Sequence, residues 1–317
     1  MKILITATSF MDQMNNEAID EITRFADEIV LNPFKRPLTA DELIEMSEGC
    51  DGIIAGLDHY DCRFFEAAPA PVKVISRYGV GYDRVDIAAA RNRGIIVTNT
   101  PGVNSESVAD LAFGLMLAVA RHIPQADREI REGDWPRLNG VELYGKSLGI
   151  LGLGSIGKAV VLRAGGFSMR VSASDPYIDM KYADEHNIRV CSFDEIVTGS
   201  DFISVHLPLN ESTAGIIGSE AIARMKRNAI VINTARGGIV DEKAMYEALQ
   251  SGRLAGYGVD AFAAEPPVNE PLLTLPNVVA TPHSGSHTRE ATRKMASLSV
   301  RNLIDVLSGK ICGFEVR

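Results

Sequence analysis

The chain lacks most of the signals that would mark a secreted, metal-binding, nucleic-acid-binding or membrane protein. It has only four cysteines, Cys50, Cys62, Cys191 and Cys312, and no Cys-x-x-Cys pair. Scattered thiols of this kind fit a reducing compartment and argue against a disulfide framework. His59, His122, His186 and His287 show no metal-ligand spacing with cysteines or acids, so no metal site is expected. Basic charge is in short supply: 32 Lys and Arg face 41 Asp and Glu, for a net charge of -9. Without a basic stripe, neither nucleic acid nor an anionic membrane surface is an expected partner. Long apolar runs are absent too. The most apolar stretch, 111–120, is bounded by Asp110 and Arg121; it is too short to span a bilayer and reads as a buried helix. The opening Met1-Lys-Ile-Leu-Ile-Thr-Ala-Thr reads as a strand and not as a targeting segment, so a soluble cytoplasmic protein is expected.

What is present is the patterning of an α/β protein, and 317 residues suit two domains better than one core. Strand-like runs at 3–6, 28–31, 52–55, 72–76 and 95–98 alternate with helical patterns. One of these starts after Thr39 with Glu42 in the capping-box position. Such alternation implies a parallel sheet covered on both faces. A strong helix follows over 105–121, with Ser105 as its expected N-cap, then a polar stretch carrying Trp135. Alternation restarts at Ser147, with further strands at 169–174, 202–206, 230–234, 256–260 and 278–281. The last helix, about 287–307, has no strand partner of its own and is expected to return to the first domain.

Gly152, Gly154 and Gly157 write G-x-G-x-x-G directly behind an apolar strand and at the mouth of a helix. The first glycine permits a tight turn, the second lets backbone approach a pyrophosphate, and the third lets the helix pack closely on the sheet. The helix N-terminus, with Ser155 and Ile156, then faces the phosphates. Asp175 stands 18 positions after Gly157, where a carboxylate receives the adenosine ribose hydroxyls and repels a 2′-phosphate. NAD is therefore the expected cofactor, although Asp175 could instead open a turn with Pro176. Lys158 is not followed by serine or threonine, so a nucleoside-triphosphate loop is not indicated.

Four blocks carry a resemblance to the D-isomer-specific 2-hydroxyacid dehydrogenase family, with a phosphoglycerate dehydrogenase-like look. They are Arg77-Tyr-Gly-Val-Gly-Tyr-Asp-Arg-Val-Asp86, Asn99-Thr-Pro-Gly-Val-Asn104, the glycines with Asp175, and a catalytic series. That series is Asn233-Thr-Ala-Arg236-Gly-Gly, Asp260-Ala-Phe-Ala-Ala-Glu265-Pro and Thr281-Pro-His283-Ser-Gly. The resemblance explains why a dinucleotide motif comes so late. It implies a discontinuous, flavodoxin-like substrate domain (1–100 with 288–317) and an inserted Rossmann NAD-binding domain (101–287), two doubly wound parallel sheets in all.

The resemblance also assigns roles. Arg236 holds and polarises a 2-keto acid, as a guanidinium fork suits a carboxylate. His283 serves as acid and base, being the side chain whose ordinary pKa lies near working pH. Glu265 is its partner, since a carboxylate bonded to imidazolium orients it and favours the protonated form. Taken singly, each of these three also has a plain structural reading. Val80 and Gly81 amides are implied to hold the substrate carboxylate, with Arg77 and Tyr78 nearby. Asp260 is implied to face the nicotinamide carboxamide, and Thr234 and Ala235 to line its ring. His206 with Leu207 and Pro208, and Thr213 beyond them, are implied on the adenosine side.

The substrate is less legible. The stretch Ala55-Gly-Leu-Asp58-His59-Tyr60-Asp61 has two acids and no arginine, which is expected to repel a phosphate dianion. Glyoxylate or hydroxypyruvate reduction is thus an alternative to phosphoglycerate oxidation. An NAD(H)-sensing corepressor is the alternative of a different class. The apolar helix 108–120 lies where relatives of this family dimerise, so a homodimer is expected.

Overall fold

The computed structural model describes residues 1–11, 15–67 and 71–316. It divides into two compact units, Met1–Asn104 with His287–Arg317, and Ser105–Ser286. The sequence reading set these boundaries at 100 and 288.

In the first unit the order is β1 Lys2–Ile5, α1 Asn16–Phe25, β2 Glu28–Leu31, α2 Ala40–Met46, β3 Gly52–Ala55, α3 Cys62–Ala67, β4 Val74–Arg77, α4 Ile87–Asn92 and β5 Ile96–Thr98. The five strands pair in parallel in the order β2-β1-β3-β4-β5, the flavodoxin-like winding. Side chains alternate between two cores. Leu4, Ile53 and Ile75 pack with residues of α2, α3 and α4 on one face; Ile3, Ile5, Ile54 and Val74 pack with α1 and the last helix on the other. That last helix, Arg289–Leu307 (α12), is capped by Thr288 and lies against α1, β3, β4 and β5, as its missing strand partner implied. Local signals act where expected: Thr39 and Glu42 form a reciprocal capping box at α2.

The second unit runs α5 Ser105–Ala120, α6 Ile123–Glu132, β6 Ser147–Leu151, α7 Ser155–Gly166, β7 Arg170–Ser174, α8 Met180–Glu185, β8 Arg189–Val190, α9 Phe193–Gly199, β9 Phe202–Val205, α10 Ser219–Arg224, β10 Ile230–Asn233, α11 Glu242–Gln250, β11 Gly256–Val259 and β12 Val278–Ala280. Its seven strands are parallel in the order β12-β11-β10-β9-β6-β7-β8. One core joins the sheet to α5, α7 and α8, the other to α9, α10 and α11. This is the doubly wound dinucleotide-binding arrangement.

Three local expectations are corrected. Ser105 is the first residue of α5 rather than its cap. Strand β8 escaped notice because it has two residues, both exposed. Helix α6 escaped because no residue of it is buried; Pro124 in its first turn and Gly133 at its end, with φ of +95°, define it instead. Among the described residues no single helix is long and apolar enough to cross a membrane. Helix α5, by contrast, is apolar because it is largely buried in its own unit, through residues such as Ala112, Leu115, Met116 and Val119.

The start of the second sheet is pinned by a charged cluster. Asp201 Oδ2 accepts from the Ser147 amide at 2.9 Å and hydroxyl at 2.7 Å, and Lys226 Nζ donates to Oδ1 at 2.8 Å. Burial pushes the Asp201 pKa up, but the Lys226 and Ser147 bonds outweigh it and bring it down to about 2. A depressed folded-state pKa gives stabilisation that is complete above the ordinary aspartate value and is lost as pH falls towards about 2. After allowance for solvent around Lys226, Asp201→Asn should cost roughly 2 kcal/mol at pH 7. In urea unfolding the gap between variant and wild type should close between about pH 4 and pH 2; an equal gap at both ends would refute the assignment.

Candidate active site

A parallel sheet delivers the carboxyl ends of all its strands to one edge. Six of these ends in the second unit carry residues singled out from sequence. Following the strand order, His283 follows β12, Asp260 and Glu265 follow β11, and Thr234 to Arg236 follow β10. His206 to Thr213 then follow β9, the three glycines follow β6, and Asp175 follows β7. Acid–base candidates thus occupy one half of the edge and cofactor candidates the other.

At β6 the three glycines differ in what they accommodate. Gly152 has φ of +94°, and a Cβ there would lie 2.6 Å from the His206 carbonyl oxygen. A Cβ on Gly157 would collide with the Gly152 carbonyl oxygen. At Gly154 a Cβ would meet nothing within 4 Å, so this glycine is not required by packing in the chain. Gly154 and Ser155 are exposed at the head of α7, whose first turn also presents the backbone of half-buried Ile156. Asp175 braces the turn: its Oδ2 accepts from Leu153 N at 2.8 Å and its Oδ1 from Tyr177 N at 2.7 Å.

Two buried polar atoms nearby have no protein partner, Nδ1 of His206 and Oγ1 of Thr234. The other ring nitrogen of His206 pairs with Ser204 Oγ at 2.8 Å, and burial lowers the His206 pKa to about 4, so the ring is neutral at working pH. An unsatisfied buried polar atom costs about 1–3 kcal/mol, a cost that a bound ligand offering hydrogen bonds would remove. Thr213 is not such an atom, because its hydroxyl donates to the Pro208 carbonyl at 2.6 Å and closes the loop that leaves Pro208 exposed. Ala235 is buried beside Thr234. A spare glycine surface, a helix N-terminus, a carboxylate and two orphaned polar atoms together fit a dinucleotide.

On the other half of the edge, His283 Nδ1 lies 2.7 Å from Glu265 Oε1. The side chains are 33% and 19% exposed, respectively, accessible to a small reactant yet partly shielded. Glu265 Oε1 also accepts from Phe262 N at 3.3 Å. His283 has φ of +50°, a left-handed conformation uncommon outside glycine, and its amide donates to the Asp260 carbonyl at 2.9 Å. Asp260 itself is 2% exposed and turned into the chain. Its carboxylate accepts from Thr281 Oγ1 at 2.6 Å, Ser284 N at 2.7 Å and Gly285 N at 2.9 Å. Arg236 is half-buried, and its Nη1 donates to the Ala235 carbonyl at 2.7 Å. Sequence reasoning quoted Asn233, Thr281 and Ser284 only as parts of motifs. Their signal was a short polar residue set directly after an apolar strand or beside a candidate acid.

Arg77, Tyr78, Val80 and Gly81 belong to the first unit and form a separate cluster at the carboxyl ends of its strands. Gly79 has φ of +151°. The carbonyls of Gly79, Val80 and Gly81 accept from Thr100 N, Asn99 Nδ2 and Arg77 Nε at 3.1, 2.8 and 3.0 Å. Among the described residues the Val80 and Gly81 amides have no protein acceptor. Arg77 departs from expectation. It is 4% exposed, and its guanidinium reaches the Gly81 and Ala55 carbonyls, so it supports the turn from within. Tyr78 likewise packs edge-on against Phe10, and its hydroxyl reaches the Thr292 carbonyl at 3.4 Å.

The loop after β3 is corrected as well. Asp58 is fully buried, accepting from the Thr6 hydroxyl and from Leu38 N at 2.7 Å. Tyr60 is buried beside it, whereas Leu57 and His59 are exposed. Of the two acids expected to repel a phosphate, only Asp61 is exposed.

Fold and glycine turn together define a nicotinamide dinucleotide-binding protein. Residues 113–285 match the family described as D-isomer specific 2-hydroxyacid dehydrogenase, NAD binding domain, and the chain belongs to that family. It is 42% identical over 314 residues to D-3-phosphoglycerate dehydrogenase of Methanocaldococcus jannaschii, covering 98% of this chain and 58% of that relative. It is 43% identical over 283 residues to glyoxylate reductase of Korarchaeum cryptofilum, covering 87% and 85%. The crystal structure of TT0316 protein from Thermus thermophilus superposes with a TM-score of 0.88 at 37% identity, over all of both chains.

The contrast among the glycines is testable. Gly154→Val should leave the melting temperature near wild type while weakening NADH binding at least tenfold in a fluorescence titration. Gly157→Ala should lower the melting temperature itself. Equal effects of the two on stability would contradict the division of roles.

Proposed function

We propose that this protein is an NAD-dependent D-2-hydroxyacid dehydrogenase that interconverts a small, unphosphorylated 2-keto acid, such as glyoxylate or hydroxypyruvate, with its 2-hydroxy acid. The 2.7 Å pairing of His283 with Glu265, one strand end away from the Arg236 loop on a dinucleotide-binding edge, carries this reading. Arg236 binds the keto-acid carboxylate and draws electron density from the adjacent carbonyl. With Nδ1 engaged by Glu265, His283 holds at Nε2 the proton that is passed to the carbonyl oxygen, and takes it back in the oxidative direction. When bound, the nicotinamide supplies or accepts the hydride.

The choice of an unphosphorylated acid is supported by the loop after β3, which exposes Leu57 and His59 and contains no arginine or lysine between 55 and 61. The similarity to glyoxylate reductase over most of both chains agrees with it. NAD rather than NADP is supported by Asp175, whose carboxylate lies at the end of β7 with the glycine turn bonded to it.

The proposal extends to a homodimer, although α5 no longer motivates it. Exposed apolar residues gather instead on α6 and the segment after it: Ile123, Ile130, Trp135, Val141 and Tyr144, with Trp135 85% exposed. A second copy of the chain is the proposed cover for them.

Purified protein should oxidise NADH with glyoxylate or hydroxypyruvate faster than with 3-phosphohydroxypyruvate, and faster than it oxidises NADPH. His283→Ala should reduce turnover by at least ~10²-fold; sustained turnover would remove the histidine from its role. Sedimentation should show a dimer at micromolar concentration, shifted towards monomer by Trp135→Asp.

A further inference from the structure

The groups that do the proposed chemistry stand on loops, and loops drift unless something holds them. Two neighbouring buried side chains supply that hold. Asn233, the last residue of β10, is 1% exposed. Its Oδ1 accepts from Ala235 N at 3.1 Å and its Nδ2 donates to the Arg236 carbonyl at 2.9 Å. One strand away, Asp260 gathers Thr281, Ser284 and Gly285 onto one carboxylate and takes the His283 amide on its own carbonyl. The two are joined, since Asp260 N donates to the Asn233 carbonyl at 2.9 Å.

We infer that Asn233 and Asp260 form one brace of positioning residues, which holds the Arg236 loop and the His283 loop in fixed register. Asp260 acts through the Thr281–Gly285 segment. His283 has a left-handed backbone, an unfavourable geometry for a side chain with a Cβ. Its amide, Thr281 two residues before it and Ser284 just after it are bonded to the same aspartate, which is what keeps that geometry in place. Both carboxylate oxygens of Asp260 have their bonds within this loop. An Arg236 loop held only by its own backbone, or a His283 held only by Glu265, would lose the shared reference point. Misplacement of about 1 Å at a reacting group is enough to cost about 10²-fold in rate.

The kinetic part of this inference rests on the proposed dehydrogenase activity; a second readout does not. Wild type, Asp260→Ala, Asp260→Asn and Thr281→Val would be compared by steady-state reduction of glyoxylate with NADH. Alongside, the His283 ring-proton resonance of the substrate-free protein would be assigned by its loss in His283→Ala. Thr281→Val removes a single hydroxyl of nearly the same shape and should fold as wild type by circular dichroism. It should lower kcat about fivefold to tenfold, change KM for glyoxylate less than threefold, and move the His283 resonance. Asp260→Ala should lose about 10²-fold in kcat, with Asp260→Asn recovering part of it through its remaining carbonyl oxygen. Folded Thr281→Val and Asp260→Asn with wild-type kcat and an unmoved His283 resonance would overturn the brace. So would an effect confined to NADH affinity, which would make Asp260 a cofactor contact and nothing more. An inactive wild type would sink the functional reading alone, and the resonance would still decide the positioning role.

Discussion

Parallel pairing in the second sheet is the constraint from which the site follows. All its strands run one way, so every loop at a carboxyl end reaches the same edge, and strand order alone decides which loops are neighbours. The order turns at the β6–β9 boundary. From β6 the chain winds outward through β7 and β8 with α7 and α8 on one face, and from β9 it winds the other way with α10 and α11 on the opposite face. Loops diverge at such a reversal and leave a crevice. Gly152 to Gly157 and His206 stand on its two sides, and the Arg236, Glu265 and His283 loops follow in sequence from there.

Strand order brings loops together but does not aim them. In each case a short polar side chain at or near the strand end does so by bonding amides of the loop that follows or of a neighbour. Asp175 takes Leu153 N and Tyr177 N, Asn233 takes Ala235 N, and Asp260 takes Ser284 N and Gly285 N. These amides have left the ladder and need acceptors wherever water is excluded. An aspartate or asparagine meets that need with few rotamers to freeze, so the loops are ordered without bulk in the space that reactants require.

The sequence was most legible where periodicity and punctuation agree. Strands such as 28–31 and 52–55 emerge with those bounds because short apolar runs between turn residues have one reading in an alternating pattern. The glycine turn was legible because its chemistry needs glycines at that spacing behind a strand, and the Glu265–His283 contact because the family resemblance implied it. Facing was not legible. Arg77 stands among the residues expected near a substrate carboxylate and Asp58 among the acids expected to repel a phosphate, yet both are buried, since nothing in a string of letters says which side of a loop a charge occupies. Helix α6 was missed for the converse reason: it has no buried face to impose a period.

The buried charges of the first unit order its own strand ends. Asp58 is fully enclosed, which is tolerable for a carboxylate only when hydrogen bonds replace its hydration; Thr6 and Leu38 provide them from the loops after β1 and β2. Arg77, enclosed at the end of β4, bonds the carbonyl at the end of β3 and one in its own turn. The two charges thus tie strand ends together from within. The β3 loop alternates accordingly, with Asp58 and Tyr60 inward and Leu57 and His59 outward. The outward pair is one apolar side chain and one imidazole, with no lysine or arginine between 55 and 61. With Asp58 turned inward, the charge at the centre of the loop orders strand ends instead of facing outward.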